Sequence, residues 1–461
     1  MNLIVIVCDT LRRDYLGCYG NTWVKTPCLD ELSASGMTFD RCYVGSFPTV
    51  PQRHDLMCSN YVFHTTGWAP IQPGNTPVQM RLRKHGYICG FMTDHTQLMA
   101  PGMNYHQGFH ALEWVRGHVS DPWISEPVQY EPPCELGKLR QPEAWLDRFY
   151  RNISVRRTEE DWPSPKTMAA AMQWLERNRG HERWLLYVDT FDVHEPWLPP
   201  EFYTEMYDPG YEGDEAIYPR YDFAGYLSDE ELWHVKSLYA GTITMMDKWI
   251  GRLLEKVEDL GLADDTAIVF TSDHGWYHGE HGYIGKHTVL DRDKGWQFYD
   301  EVARVPLLIR APNLPQGVRS NVLVQPVDVM PTMMEIMGLE PPPFAEASGG
   351  ETEGTHGRSA LPAILGRGEP PREIAVTARD VKKAPGYRSW NAINDGRWCL
   401  QHAEQAAEPE LYDTVVDPAQ LNNVFEGNLP VAEALHAKYL DYLAQIGCSD
   451  EQIENRRPLR P

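Results

Sequence analysis

Thr271-Ser272-Asp273-His274-Gly275, continuing through Gly279-Glu280-His281-Gly282 to Lys286, is the stretch around which the chain is organised. An apolar, β-branched run over residues 266–271 ends in an Asp-His pair, and four glycines and a lysine crowd into the residues that follow. This reads as a strand delivering two metal-ligand types to its carboxyl end, where the glycines let the backbone come close to something bound. A polar surface loop is the alternative, since Asp, His and Gly are common loop residues.

Working outward, apolar strand-like runs at residues 3–8, 37–44, 87–92, 184–189 and 305–309 alternate with helical patterns. Thr26-Pro27 opens a short helix, and Ser46 to Arg53 leads into another with Pro51 in its first turn. Further helices are expected at 76–84, from Ser164-Pro165, at 327–337 and at 431–446. Ser228 with Glu231 makes a capping box for a long helix up to Gly261, whose Met246 and Trp249 read as core packing. Alternating strands and helices imply an α/β fold with a parallel sheet, where ligands bind beyond the carboxyl ends of the strands. Asp9, Thr93 with His95, His194 and Asp273-His274 each follow such an end. Residues 117–161, rich in Pro, Trp and charge, read as an insertion that shapes or covers the site, and 199–226 has no readable pattern. The expected division is a catalytic α/β domain at 1–340, a linker at 341–373 and a C-terminal α+β subdomain at 374–461.

With 461 residues, 42% hydrophobic and 23% charged, the chain has globular values. Its 65 acidic against 42 basic residues, a net charge of −23, argue against a nucleic-acid polymer or an anionic membrane as partner. A small anionic ester remains acceptable if a bound cation concentrates positive charge locally. No targeting signal or membrane-length apolar run is visible, and nine scattered cysteines suit reduced thiols, so a cytoplasmic location is expected. The sequon at Asn152-Ile153-Ser154 is read as incidental.

Asp9, Asp273 and His274 form an O,O,N set suited to one divalent ion, with Zn²⁺, Mn²⁺, Mg²⁺ and Ca²⁺ left open. Thr49 is either a fourth metal contact and nucleophile, activated by the ion and by a helix N-terminus, or a structural N-cap. Arg53 lies one helical turn beyond Thr49 and can hold an oxygen of the transferred group. Lys286, His194 and His95 can stabilise charge there or protonate a leaving oxygen. His278, His281 and His287 share the glycine-rich loop and are not ranked.

These residues resemble the sulfatase branch of the alkaline phosphatase superfamily over nearly the whole chain. The carriers are residues 7–14 with Gly17-Cys18-Tyr19-Gly20, Thr26-Pro27-Cys28-Leu29-Asp30, Thr49-Val50-Pro51-Gln52-Arg53, His194-Glu195-Pro196-Trp197, residues 271–275 through Gly285-Lys286, and Glu410-Leu411-Tyr412-Asp413 with Asp417-Pro418 and Leu421-Asn422-Asn423. The resemblance implies an alkaline-phosphatase-like α/β sandwich with a mostly parallel central sheet and a smaller C-terminal domain on an antiparallel sheet. It also implies a metal held by Asp9, Asp273 and His274 that touches Thr49. Two departures stand out. Sulfatases keep Cys or Ser at the position of Thr49 and convert it to formylglycine, whereas a threonine would give a ketone. Thr93-Asp94-His95 stands where typical sulfatases read Lys-Trp-His, which looks more like phosphonate monoester and phosphodiester hydrolases, with Thr93 on the substrate. A single ion is preferred, and a second one, on Asp189, Asp192 or His194, is left open. The expectation is a metal-dependent hydrolase of phosphate or phosphonate esters acting through Thr49, and a homo-oligomer. The alternatives are a sulfatase or phosphotransferase using threonine directly, or a degenerate binding protein.

Overall fold

The computed structural model describes residues 1–286, 295–345, 354–381, 389–403 and 407–460. Its strands are β1 (Asn2–Cys8), β2 (Met37–Phe39), β3 (Ile88–Thr93), β4 (Ala111–Trp114), β5 (Trp184–Thr190), β6 (Asp222–Phe223), β7 (Thr266–Ser272), β8 (Tyr277–His278), β9 (Tyr283–Gly285), β10 (Leu307–Arg310), β11 (Val318–Ser320), β12 (Ala375–Ala378), β13 (Trp390–Asn394), β14 (Trp398–Ala403) and β15 (Glu410–Asp413). By contacts they fall into two units. The first takes residues 1–38, 82–286 and 306–318; the second takes, among the described residues, 39–81, 295–305 and 319–460.

The first unit is built on the large sheet, in the order β11-β2-β10-β7-β1-β5-β3-β4. From β7 to β4 all pairings are parallel, and β10 runs antiparallel to β7 and to β2. Every residue of β1, β5 and β7 is buried, as a strand covered on both faces requires. The helix Asp229–Asp259 covers this core behind its Ser228 capping box, with Val235, Leu238, Met246, Trp249, Leu253 and Val257 all buried. A small sheet, β6-β9-β8, follows the end of β7.

Two expectations need correcting here. The strand expected at 37–44 stops at Phe39. The Arg304 guanidinium takes the Asp40 carbonyl, and Cys42 and Tyr43 keep only isolated bridges to Val324 and Arg304. The insertion at 117–161 contains an amphipathic helix, Pro142–Ile153, with Trp145, Leu146, Phe149 and Asn152 buried on one face. Asn152 is 1% exposed, so the sequon is closed to modification.

The second unit carries the antiparallel sheet β12-β13-β14-β15 and the helices Pro326–Ile336 and Leu429–Gln445. Phe63, Val376, Ile393, Leu400, Leu411, Leu435 and Leu443 are among the residues of its core. Arg372 forms a buried pair with Asp328 and donates to the Tyr61 hydroxyl at 2.7 Å. None of the nine cysteines is in a disulfide, and no helix among the described residues is long and apolar enough to cross a membrane.

Candidate active site

Strand register places four of the predicted positions side by side. Cys8 of β1 lies opposite Ser272 of β7 on one flank and Thr190 of β5 on the other, and Thr93 of β3 lies opposite Asp189. Asp9, Asp273-His274, His194 and His95 therefore leave the sheet at one edge, as the alternation of strands and helices implies. Asp9, Asp273 and His274 are all 0% exposed, and their ligand atoms lie within 4.8 Å of one another. Two carboxylates and an imidazole so gathered fit a divalent cation by donor type and by charge. Among the described residues this is the only such group of three or more His, Cys, Asp or Glu; Asp189, Asp192 and His194 do not join it.

Thr10, which sequence reasoning passed over, braces both carboxylates. Its N–H donates to Asp273 Oδ1 at 2.8 Å and its hydroxyl to Asp9 Oδ1 at 2.7 Å. The Tyr239 hydroxyl, from the helix Asp229–Asp259, donates to the Thr10 carbonyl at 2.7 Å. Lys286 Nζ donates to Thr10 Oγ1 at 3.2 Å, which sets the predicted cation beside the predicted ligands. Ser272 accepts from the Leu11 N–H at 3.0 Å and donates to the His274 carbonyl at 3.1 Å, tying the two loops together. Arg12 spans the same gap, donating to the Trp276 carbonyl at 3.1 Å and pairing with Glu280 at 2.8 Å. A hydroxyl residue next to a ligand Asp was the available signal, but such pairs are common.

His95 Nε2 lies 3.2 Å from Asp9 Oδ2, so His95 holds that carboxylate in place. The Thr93 hydroxyl accepts the His95 N–H at 3.0 Å. Burial, and then the nearby Lys286, hold the His194 imidazole well below its ordinary range. Its Nδ1 lies 2.6 Å from the Glu195 carbonyl, an acceptor, which puts the proton on Nδ1 and leaves Nε2 to accept. Phe191 gathers the histidines, with ring centroids 4.9 Å from His95, 4.1 Å from His194 and 3.7 Å from a further residue, His118. His278 sits instead among Tyr15, Trp197 and Tyr239, away from ligand duty.

Two glycines of the loop, Gly279 and Gly285, serve the protein's own packing. A Cβ on Gly279 would meet Leu232 at 2.9 Å, and one on Gly285 would meet Tyr221 at 2.8 Å; both have positive φ. They admit protein side chains and tight turns rather than a ligand.

In the second unit, Thr49 is the first residue of the helix Thr49–Cys58, with Pro48 rather than Thr49 in the capping position. Its side chain is therefore not spent as an N-cap, which was the alternative. Thr49 is 4% exposed and Arg53 0%, and Arg53 Nη1 donates to the Thr49 carbonyl at 3.3 Å. The one-turn spacing thus brings the guanidinium back to the head of its own helix.

The sequence model of the sulfatase family matches residues 1–339. Among curated relatives, the N-acetylglucosamine-6-O-sulfatase of Bacteroides thetaiotaomicron is 23% identical over 491 residues, covering 92% of this chain and 82% of that protein. Among solved structures, the phosphonate monoester hydrolase of Agrobacterium radiobacter superposes with a TM-score of 0.75 at 23% identity, covering 96% of each chain. The phosphonate monoester hydrolase of Silicibacter pomeroyi gives 0.72 at 21%, covering 96% of this chain and 95% of that one.

Proposed function

The chain belongs to the sulfatase family, and from that premise we propose that it hydrolyses phosphate or phosphonate esters, phosphodiesters or phosphonate monoesters foremost, through Thr49 and one divalent ion. The observation that carries this reading is Thr49 itself: a buried hydroxyl at the head of a helix, on a β-carbon whose methyl group bars oxidation to formylglycine. An unmodified alcohol is the nucleophile of an ordinary phosphoryl transfer.

Asp9, Asp273 and His274 would hold the ion, with Thr49 as the fourth contact. When bound, such an ion acts as a Lewis acid and lowers the pKa of a hydroxyl beside it. Thr49 gives its hydroxyl proton to solvent as Oγ attacks phosphorus, the bond to the leaving oxygen breaks, and the alcohol departs with a proton from solvent. Water then cleaves the phospho-threonine and restores the hydroxyl. Arg53 and Lys286 share the charge on the transferred oxygens. Thr10 and Ser272 keep the carboxylates and loops in place throughout. Mn²⁺, Zn²⁺, Mg²⁺ and Ca²⁺ all match the donor types, and a homo-oligomeric, cytoplasmic protein without nucleic-acid or membrane partners belongs to the same proposal.

Direct sulfate ester hydrolysis is the second reading, favoured by the sulfatase names of the curated relatives. A panel of aryl sulfate, aryl phosphate, phosphodiester and phosphonate monoester, assayed with each of the four ions, separates the two. The proposal expects the phosphorus esters to be turned over at least about tenfold faster; preferential turnover of the sulfate would refute it.

A further inference from the structure

Next to the metal-ligand edge, within the first unit, lies a second polar recess. His118, Phe149, Arg156, Trp162, Asp192 and Thr242 line a pocket of about 20 Å³. That is room for a group of roughly one water molecule's size. Its wall is bonded to the ligand loop: the Asp9 N–H donates to the Asp192 carbonyl at 3.3 Å, and the Val193 N–H to the Asp9 carbonyl at 2.9 Å.

Its polar groups are poorly matched by the protein. His118 is 6% exposed, and its Nδ1 has no hydrogen-bond partner among the described residues. The Asn152 side chain, donating to the His118 carbonyl at 2.8 Å, fixes the backbone that presents the ring. Half-buried Arg156 makes no ion pair among the described residues; its guanidinium lies over the Trp162 ring at 4.9 Å. Burial pulls that guanidinium down to about 10, while Asp192 across the pocket, and then Asp161, favour its charged form. Asp192 Oδ2 is buried without a hydrogen bond of good geometry; burial raises that carboxyl, against Ser164 and then Arg156, which favour its charged form.

We propose that Arg156, Asp192 and His118 form a subsite that reads a hydroxyl group on the leaving alcohol, so that the natural ester is one of a small polyol. Donor and acceptor chemistry decides the class. A guanidinium only donates and a carboxylate only accepts, while a hydroxyl does both and can satisfy the two at once. A second anionic group would suit Arg156 but meet Asp192, and a plain alkyl or aryl group would leave all three unmet. The pocket volume admits a single hydroxyl and excludes a sugar ring. This rests on the phosphorus-ester reading for the group seated at Asp9, Asp273 and His274, and names the alcohol it carries.

The test is calorimetric binding of dihydroxybutylphosphonate and butylphosphonate to the metal-loaded protein. The hydroxylated ligand is expected to bind about tenfold tighter or more, as one hydrogen-bonded hydroxyl between charged groups allows. Arg156→Met and Asp192→Ala each bring the ratio toward one, and Arg156→Lys restores part of it, with thermal melting to confirm that the variants are folded. Equal binding by the wild type, a preference that survives both substitutions, or no binding of either ligand at millimolar concentration overturns the proposal. Neither ligand can be hydrolysed, so this readout stands apart from the substrate panel, where failure of the phosphorus-ester reading appears as turnover of sulfate.

Discussion

At Thr10 the main chain takes φ 60, a left-handed turn that costs a β-branched residue about 1–3 kcal/mol. The bonds from its N–H and hydroxyl to Asp273 and Asp9, and to its carbonyl from Tyr239, over-determine that conformation. Thr10→Ala keeps the backbone bonds and removes the hydroxyl shared by Asp9 and Lys286. We expect roughly 10- to 100-fold weaker metal affinity, the usual cost of losing a group that orients a ligand. Competition with a chelator reads this directly, and unchanged affinity would leave Thr10 a purely local role. Thr49→Ala is expected to lower turnover by orders of magnitude while metal content, read by elemental analysis, falls little. The gathering of Asp9, Asp273 and His274 was legible in the sequence because each follows the carboxyl end of an apolar strand, and parallel strands share that edge. Thr10 and His118 were not, since their roles depend on which loops meet across the sheet edge.

Among the elements, strongly periodic segments were read well. The helices Pro163–Asn178, Asp229–Asp259 and Pro326–Ile336 lie close to their expected places, because an apolar stripe with a Pro or capping box at its head has one structural solution. The helix Pro142–Ile153 was hidden by the polar, Trp-rich composition around it, and β2 was over-extended because Arg304 captures the Asp40 carbonyl, a long-range event that no local pattern announces. In the second unit, Arg372 holds the first turn of the helix Pro326–Ile336 through Asp328, which is 1% exposed. Removing one partner strands a buried charge, so Arg372→Ala should destabilise the fold by about 3–5 kcal/mol, measured by urea unfolding. Adding Asp328→Asn should recover part of that loss; a double variant no more stable than the single one would contradict the pair as the cause.

For the whole molecule, acid should be damaging through buried imidazoles, three of which fall in one window. Burial pulls His54, His64 and His402 from 6.5 to about 4. As pH falls below 6.5 the unfolded chain takes up these protons before the native state does, so native stability declines from pH 6.5 toward about 4. Each residue is worth on the order of 3 kcal/mol across that window. Asp247, lifted by burial to about 6, works in the opposite sense, because the native state holds its proton while the unfolded state has released it. The decisive quantity is therefore a difference. In calorimetric melts between pH 7 and pH 4.5, His64→Gln and His402→Gln should each lose less stability on acidification than the wild type, and parallel curves would sink this assignment. The fold as a whole was legible because β1, β5 and β7 are apolar throughout and end in chemistry-bearing residues. The antiparallel C-terminal sheet followed from family resemblance and not from its short, irregular strands.

Covalent phosphorus chemistry at Thr49 leaves a trapped intermediate that acid-quench peptide mapping can locate. The metal-loaded protein would be mixed with a phosphodiester labelled with radioactive phosphorus, quenched within a turnover and digested. Label is expected on the peptide carrying Thr49 and none in Thr49→Ala. Turnover without label, or label on any other residue, would contradict that chemistry.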